Sequence, residues 1–101
     1  MKEADPPQKP DIAPVSVSIE RILPCRKGYQ FIDGFCYESE EATYHAYADA
    51  RTRLEVVFEH ADYIVDLYIL EECRDTFYLS ELGYRSLIRQ KNIQQAYRPE
   101  I

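Results

Sequence analysis

Leu54-Glu-Val-Val-Phe-Glu-His-Ala-Asp-Tyr-Ile-Val-Asp-Leu-Tyr-Ile-Leu70 is the stretch on which the fold turns. At 100° per residue, Leu54, Val57, Phe58, Ala61, Val65 and Tyr68 fall on one arc. Glu55, Glu59, Asp62 and Asp66 form a narrow acidic stripe beside it. This pattern predicts helix. A helix running unbroken from residue 40 to 73 would be about 50 Å long at 1.5 Å per residue, too long for a chain this short. A break is therefore expected, with Asp62 as the N-cap of a second helix. A competing reading pairs Leu54–His60 with Tyr63–Leu70 as a β-hairpin, on the strength of Val56, Val57, Ile64, Val65 and Ile69. The helical arc fits better than any alternation.

The same region concentrates charge. Residues 38–75 hold eleven of the 18 acidic side chains against only Arg51, Arg53 and Arg74, whereas the whole chain sums to −6. Such a surface favours basic partners and repels nucleic acid and anionic lipid. Ser39 opens the helical stretch as an N-cap, with Glu40 and Glu41 at the positive end of the helix dipole.

Upstream, Gly28-Tyr-Gln-Phe-Ile-Asp-Gly-Phe-Cys-Tyr-Glu38 contains Asp33-Gly34, a two-residue turn signal of the type that needs positive φ. Folded there, the hairpin puts Tyr29, Phe31 and Cys36 on one face and Ile32, Phe35 and Tyr37 on the other. Two or three helices cannot cover both faces, so a homodimer or a partner-covered sheet is expected. Val15-Ser-Val-Ser-Ile-Glu20 alternates as a half-buried strand, with Val15, Val17 and Ile19 inward. Residues 1–14, which carry Pro6, Pro7, Pro10 and Pro14, are expected to be a flexible tail before a single domain over 15–97. Downstream, Asp75 is expected to cap a helix over Thr76–Gln90, with Glu81, Arg85 and Arg89 spaced to pair.

The 101 residues bound one domain that buries roughly 65% of its unfolded surface. Nine Tyr and four Phe with no Trp suit cores that reach the surface and also binding faces. There is no apolar run long enough to span a membrane and no signal-peptide pattern, so the expected compartment is the cytosol. Cys25, Cys36 and Cys73 are an odd number, which argues against an oxidised framework. Their spacing, with His45 and His60, matches no zinc motif. No nucleophile–base pair, phosphate loop or dinucleotide fingerprint is present. No catalytic residue, metal or cofactor is therefore expected.

Residues 29–50, a strand–DG–strand hairpin followed by Ser39-Glu-Glu-Ala42, resemble the hairpin-and-helix layout of small DNA-binding modules of the integrase-arm kind. That layout implies a basic hairpin reading DNA. Here Arg26 and Lys27 only precede the strands, and the adjoining helix is acidic, so direct nucleic-acid binding is not expected. The expected fold is α+β: an antiparallel sheet of about three strands, including the DG hairpin, against two or three helices. The expected function is that of a small acidic adaptor or inhibitor, similar in size and composition to phage-encoded inhibitors, which occupies a basic partner surface. Glu55, Glu59, Asp62 and Asp66 form one candidate surface, and Tyr29, Phe31, Phe35 and Tyr37 the other. The alternative is a nucleic-acid-binding or regulatory domain using the hairpin or the basic C-terminal helix.

Overall fold

Alternation in the first strand places Val15, Val17 and Ile19 in the core and leaves Ser16, Ser18 and Glu20 on the opposite face. This strand, β1 (Val15–Ile22), is one of four in the computed structural model, which describes residues 14–96. The expected proline-rich tail therefore lies outside the described residues except for Pro14, as do residues 97–101. A short 3-10 turn, Pro24–Arg26, leads to β2 (Tyr29–Phe35). Helix α1 (Glu40–Arg53), β3 (Tyr63–Ile69), β4 (Glu72–Leu79) and α2 (Glu81–Ala96) complete the order. The sheet runs β2-β1-β3-β4 with every neighbour antiparallel, and the helices contribute to a core on one of its faces. The architecture is the expected α+β class, with four strands and two helices.

Helix α1 begins where its sequence directs. Ser39 is extended, its Oγ accepts the Ala42 amide at 3.0 Å, and Glu40 and Glu41 occupy the first turn. Thr43, fully buried, ties the helix to the preceding loop: its Oγ1 accepts the Tyr37 amide at 2.7 Å and donates to the Ser39 carbonyl at 3.1 Å. Tyr47, Ala50 and Leu87 then pack on Val17, Ile19, Val65, Phe77 and Leu79 to form the core between helices and sheet.

Asp33-Gly34 is not a turn. Both residues lie within β2, which pairs along its length with β1, and Gly34 has no positive φ. Ile19 pairs with Asp33 and Glu20 with Phe31, so Ile32 is an extra residue, a β-bulge. The glycine is needed for another reason: a Cβ there would stand 2.8 Å from the Val17 carbonyl oxygen, with the Phe31 ring at 3.6 Å. The tight primed turn lies elsewhere. Leu70 and Glu71, at φ 53° and 70°, connect β3 to β4 directly after the Ile69–Glu72 pair.

Residues 54–70 depart furthest from the helical expectation. Helix α1 stops at Arg53, Leu54 is already extended, and no second helix starts at Asp62. Residues 54–62 run beside β4, where Val57 and Asp62 donate their amides to the Tyr78 and Leu79 carbonyls at 3.0 and 2.9 Å. The competing hairpin placed a strand correctly at Tyr63–Leu70 but gave it the wrong mate, since β3 pairs with Glu72–Leu79. Tyr63 through Leu67 are all buried because β3 is a central strand covered on both faces, and that erased the alternation that marks a strand. The third helix likewise starts at Glu81, not Thr76. Asp75 caps nothing. Ser80 Oγ accepts the Gly83 amide and Asp62 Oδ2 the Glu81 amide, at 3.4 and 3.1 Å.

Two stability outcomes follow from the turn and the close approach. Left-handed backbone costs about 1 kcal/mol or more at a non-glycine residue. Leu70→Asn combined with Glu71→Gly is therefore expected to raise stability by about 1 kcal/mol in urea denaturation, with little packing lost because both side chains are exposed. Gly34→Ala is expected to lower stability by about 1–3 kcal/mol, because the added methyl meets a backbone carbonyl and not a flexible side-chain end. An unchanged midpoint for Gly34→Ala would mean that β1 and β2 yield at this crossing.

Candidate functional site

The two helices cover one face of the sheet and leave the other open. Pairing fixes what stands there. Strand β2 contributes Tyr29 and Phe31, and β1 contributes Ser16, Ser18, Glu20 and Ile22. From β3 come Ile64, Asp66 and Tyr68, and from β4 Thr76 and Tyr78. Phe58, reaching over from the 54–62 segment, tilts against Tyr78 with ring centroids 5.5 Å apart. Tyr29 and Phe31 are 62% and 63% exposed. No Lys or Arg projects from this face among the described strand residues by this register. Arg74 sits in a bulge of β4 and is paired with Glu72 at 3.1 Å.

The carboxylates of the two faces differ in how they are held. On the helix side, Asp75 accepts from Tyr47 Oη at 3.0 Å and pairs with Arg51. The Arg51 hydrogen bond, helped by Tyr47, holds the Asp75 carboxyl below its usual range, and burial together with that bond pushes the Tyr47 phenol upward. Tyr63 stacks on Tyr84, with centroids 4.0 Å apart and planes 6° apart, and donates to Glu81 at 2.8 Å. Burial first, then Glu81, pushes the Tyr63 phenol up to about 12. Asp33 pairs with Lys91 at 2.5 Å.

On the open face, Asp66 is only 8% exposed and receives one donor, Thr76 Oγ1 at 2.6 Å. While Asp66 is ionised it only accepts, so the single Thr76 proton is committed to it. The nearby Cys73 thiol, with Sγ 3.6 Å from Thr76 Oγ1, is then the donor between those two. Glu20 has no hydrogen-bond or ion-pair partner among the described residues. Burial, and then the charge of Asp66, raise its carboxyl above the ordinary carboxylate range. Burial and the same carboxylates also raise Tyr68. Glu20, Asp66 and Tyr68 thus form a compact anionic group with no cation among them.

The eight candidate residues from the sequence separate. Tyr29, Phe31 and Asp66 come together on the open face. Phe35 is buried and Tyr37 half-buried on the helix side, their rings 5.4 Å apart. The acidic stripe does not exist as a helix face: Glu55 and Glu59 are exposed on the 54–62 segment, Asp62 binds the start of α2, and Asp66 faces across β4. Glu20 was not singled out. The signal was available, since it is the one charged residue among the outward positions of the alternating strand Val15–Glu20.

Among the described residues no three His, Cys, Asp or Glu side chains are placed to hold a metal ion, and no helix is long and apolar enough to cross a membrane. Cys25, Cys36 and Cys73 are free and exposed. Comparison with protein-family models, with curated proteins and with solved structures gave no match.

A carboxylate whose pKa is raised on folding weakens the fold once it ionises. For Glu20 the cost is absent at pH well below the unfolded value of about 4.3 and grows as pH rises through the raised folded value. Glu20→Gln is expected to raise the thermal midpoint at pH 7 and to have little effect near pH 3. Equal midpoints at pH 7 would mean that the carboxylate is not disfavoured in the folded chain.

Proposed function

We propose that the chain is a small acidic protein-binding module, an adaptor or inhibitor without catalytic chemistry, that docks a basic partner on the open face of its sheet. The observation that carries this reading is the pairing of two exposed aromatic rings, Tyr29 and Phe31, with an uncompensated carboxylate, Glu20, on a face that neither helix covers. Exposed apolar area rimmed by polar groups is a usual mark of an interface, and aromatic residues supply much of the binding energy of such surfaces. The concentrated negative charge of residues 38–75 adds long-range attraction toward a basic partner.

Nucleic-acid binding has less support. In α2, Arg85 is paired with Glu81 at 3.1 Å and Lys91 with Asp33, which leaves Arg89 as the exposed cation without a partner among the described residues. The DG segment is a strand interior, and the open face beside it would oppose phosphates.

Tyr29→Ser with Phe31→Ser tests the surface. The double variant is expected to fold, since both side chains are mostly exposed, and to lose the proteins that the immobilised native chain retains. Retention by the native chain should itself fall as salt rises, because exposed charges are screened over about 8–10 Å at physiological ionic strength. Full retention by the double variant would remove the open face as the docking surface.

A further inference from the structure

We infer that the open face seats an arginine side chain from a partner protein, its guanidinium lying between the carboxylates of Glu20 and Asp66. This deepens the protein-binding reading above and rests on it. Glu20 pairs with Ile64, and Asp66 with Ser18, so the two acids are diagonal neighbours on adjacent central strands. Diagonal positions stand roughly 7–8 Å apart, a gap that a planar group donating to both sides can bridge. Asp66 is more than nine-tenths buried, and Thr76 supplies its only hydrogen bond among the described residues, through Oδ1, so Oδ2 is left without a donor. Glu20 has none. Buried carboxylate oxygens without donors are costly, and a cation carrying several N–H groups would satisfy both acids at once.

The surroundings select among cations. Phe31 is the cross-strand partner of Glu20 and presents an exposed ring, and Tyr68 lies close enough to both acids to feel their charge. A guanidinium offers flat stacking on a ring as well as forked donation to carboxylates, whereas an ammonium offers neither geometry. A second copy of this chain is a poor occupant, since face-to-face stacking would bring four carboxylates together in a desolvated interface. A phosphate-bearing ligand meets the same repulsion.

The test is an amide-resolved NMR titration of the full chain with an octa-arginine peptide, beside octa-lysine and uncharged octa-citrulline. Octa-arginine is expected to shift the amides of Ser18, Glu20, Phe31, Asp66 and Tyr68, octa-lysine to do so more weakly, and octa-citrulline not to bind. Glu20→Gln with Asp66→Asn should weaken octa-arginine binding by about tenfold or more, since charge-assisted hydrogen bonds are lost. Glu55→Gln with Glu59→Gln, which removes the same charge from the 54–62 segment, should weaken it by less than about twofold. Glu20→Gln alone, at a partly exposed position, guards against misfolding of the double variant and should show most of the loss. Equal weakening by the two double variants, or shifts gathered on residues 54–62, would overturn the inference. So would dimerisation that shifts the same open-face amides. Loss of octa-arginine binding in Tyr29→Ser with Phe31→Ser, beside full binding in Glu20→Gln, would keep the docking face and remove the arginine seat. Full binding in both would remove both readings.

Discussion

The pairing of β1 with β3 is the contact on which the other elements depend. Val15 through Arg21 match Ile69 through Tyr63 residue for residue, and each of these strands carries a further strand on its outer side. The two hairpins are local and close short loops, but this central ladder closes a loop of some forty residues that contains β2 and α1. Its entropic cost grows only slowly with that length. What repays it is Val17 and Ile19 of β1 meeting Val65 and Leu67 of β3 in a core that Tyr47, Phe77 and Leu87 complete from three other elements. Without the ladder neither helix has an apolar floor.

That arrangement also sets how much of the fold was legible. Strand β1 and the start of α1 were plain, because a half-buried strand alternates and a serine cap needs only local chemistry. Strands β3 and β4 were hidden. A strand buried on both faces has no alternation to read, and in Leu54–Tyr68 the apolar residues happened to recur at helical spacing. The turn between β3 and β4 holds Leu70 and Glu71 in left-handed backbone, with none of the Gly or Asn that announces such a turn.

The site was partly legible, in one instance for the wrong reason. A turn at Asp33-Gly34 would put Tyr29 and Phe31 on one face and Phe35 on the other. The bulge at Ile32 does the same, because one extra residue inverts the side-chain parity of everything beyond it. Asp66 was selected for a helical stripe and serves instead as a buried acceptor for Thr76. Glu20 and Asp66 are brought together only by the β1–β3 register, which no local pattern encodes.

The segment 54–62 has a bearing on how copies of the chain can assemble. By donating the Val57 and Asp62 amides to β4, it stoppers that border of the sheet, while no comparable backbone bond reaches the outer side of β2 among the described residues. A sheet with one closed border cannot propagate. If strands of two molecules join, they join β2 to β2, and the stoppered borders then lie on the outside of the pair. A chain with a bare aromatic face and a free strand is thereby kept from polymerising: its edgewise growth terminates at two.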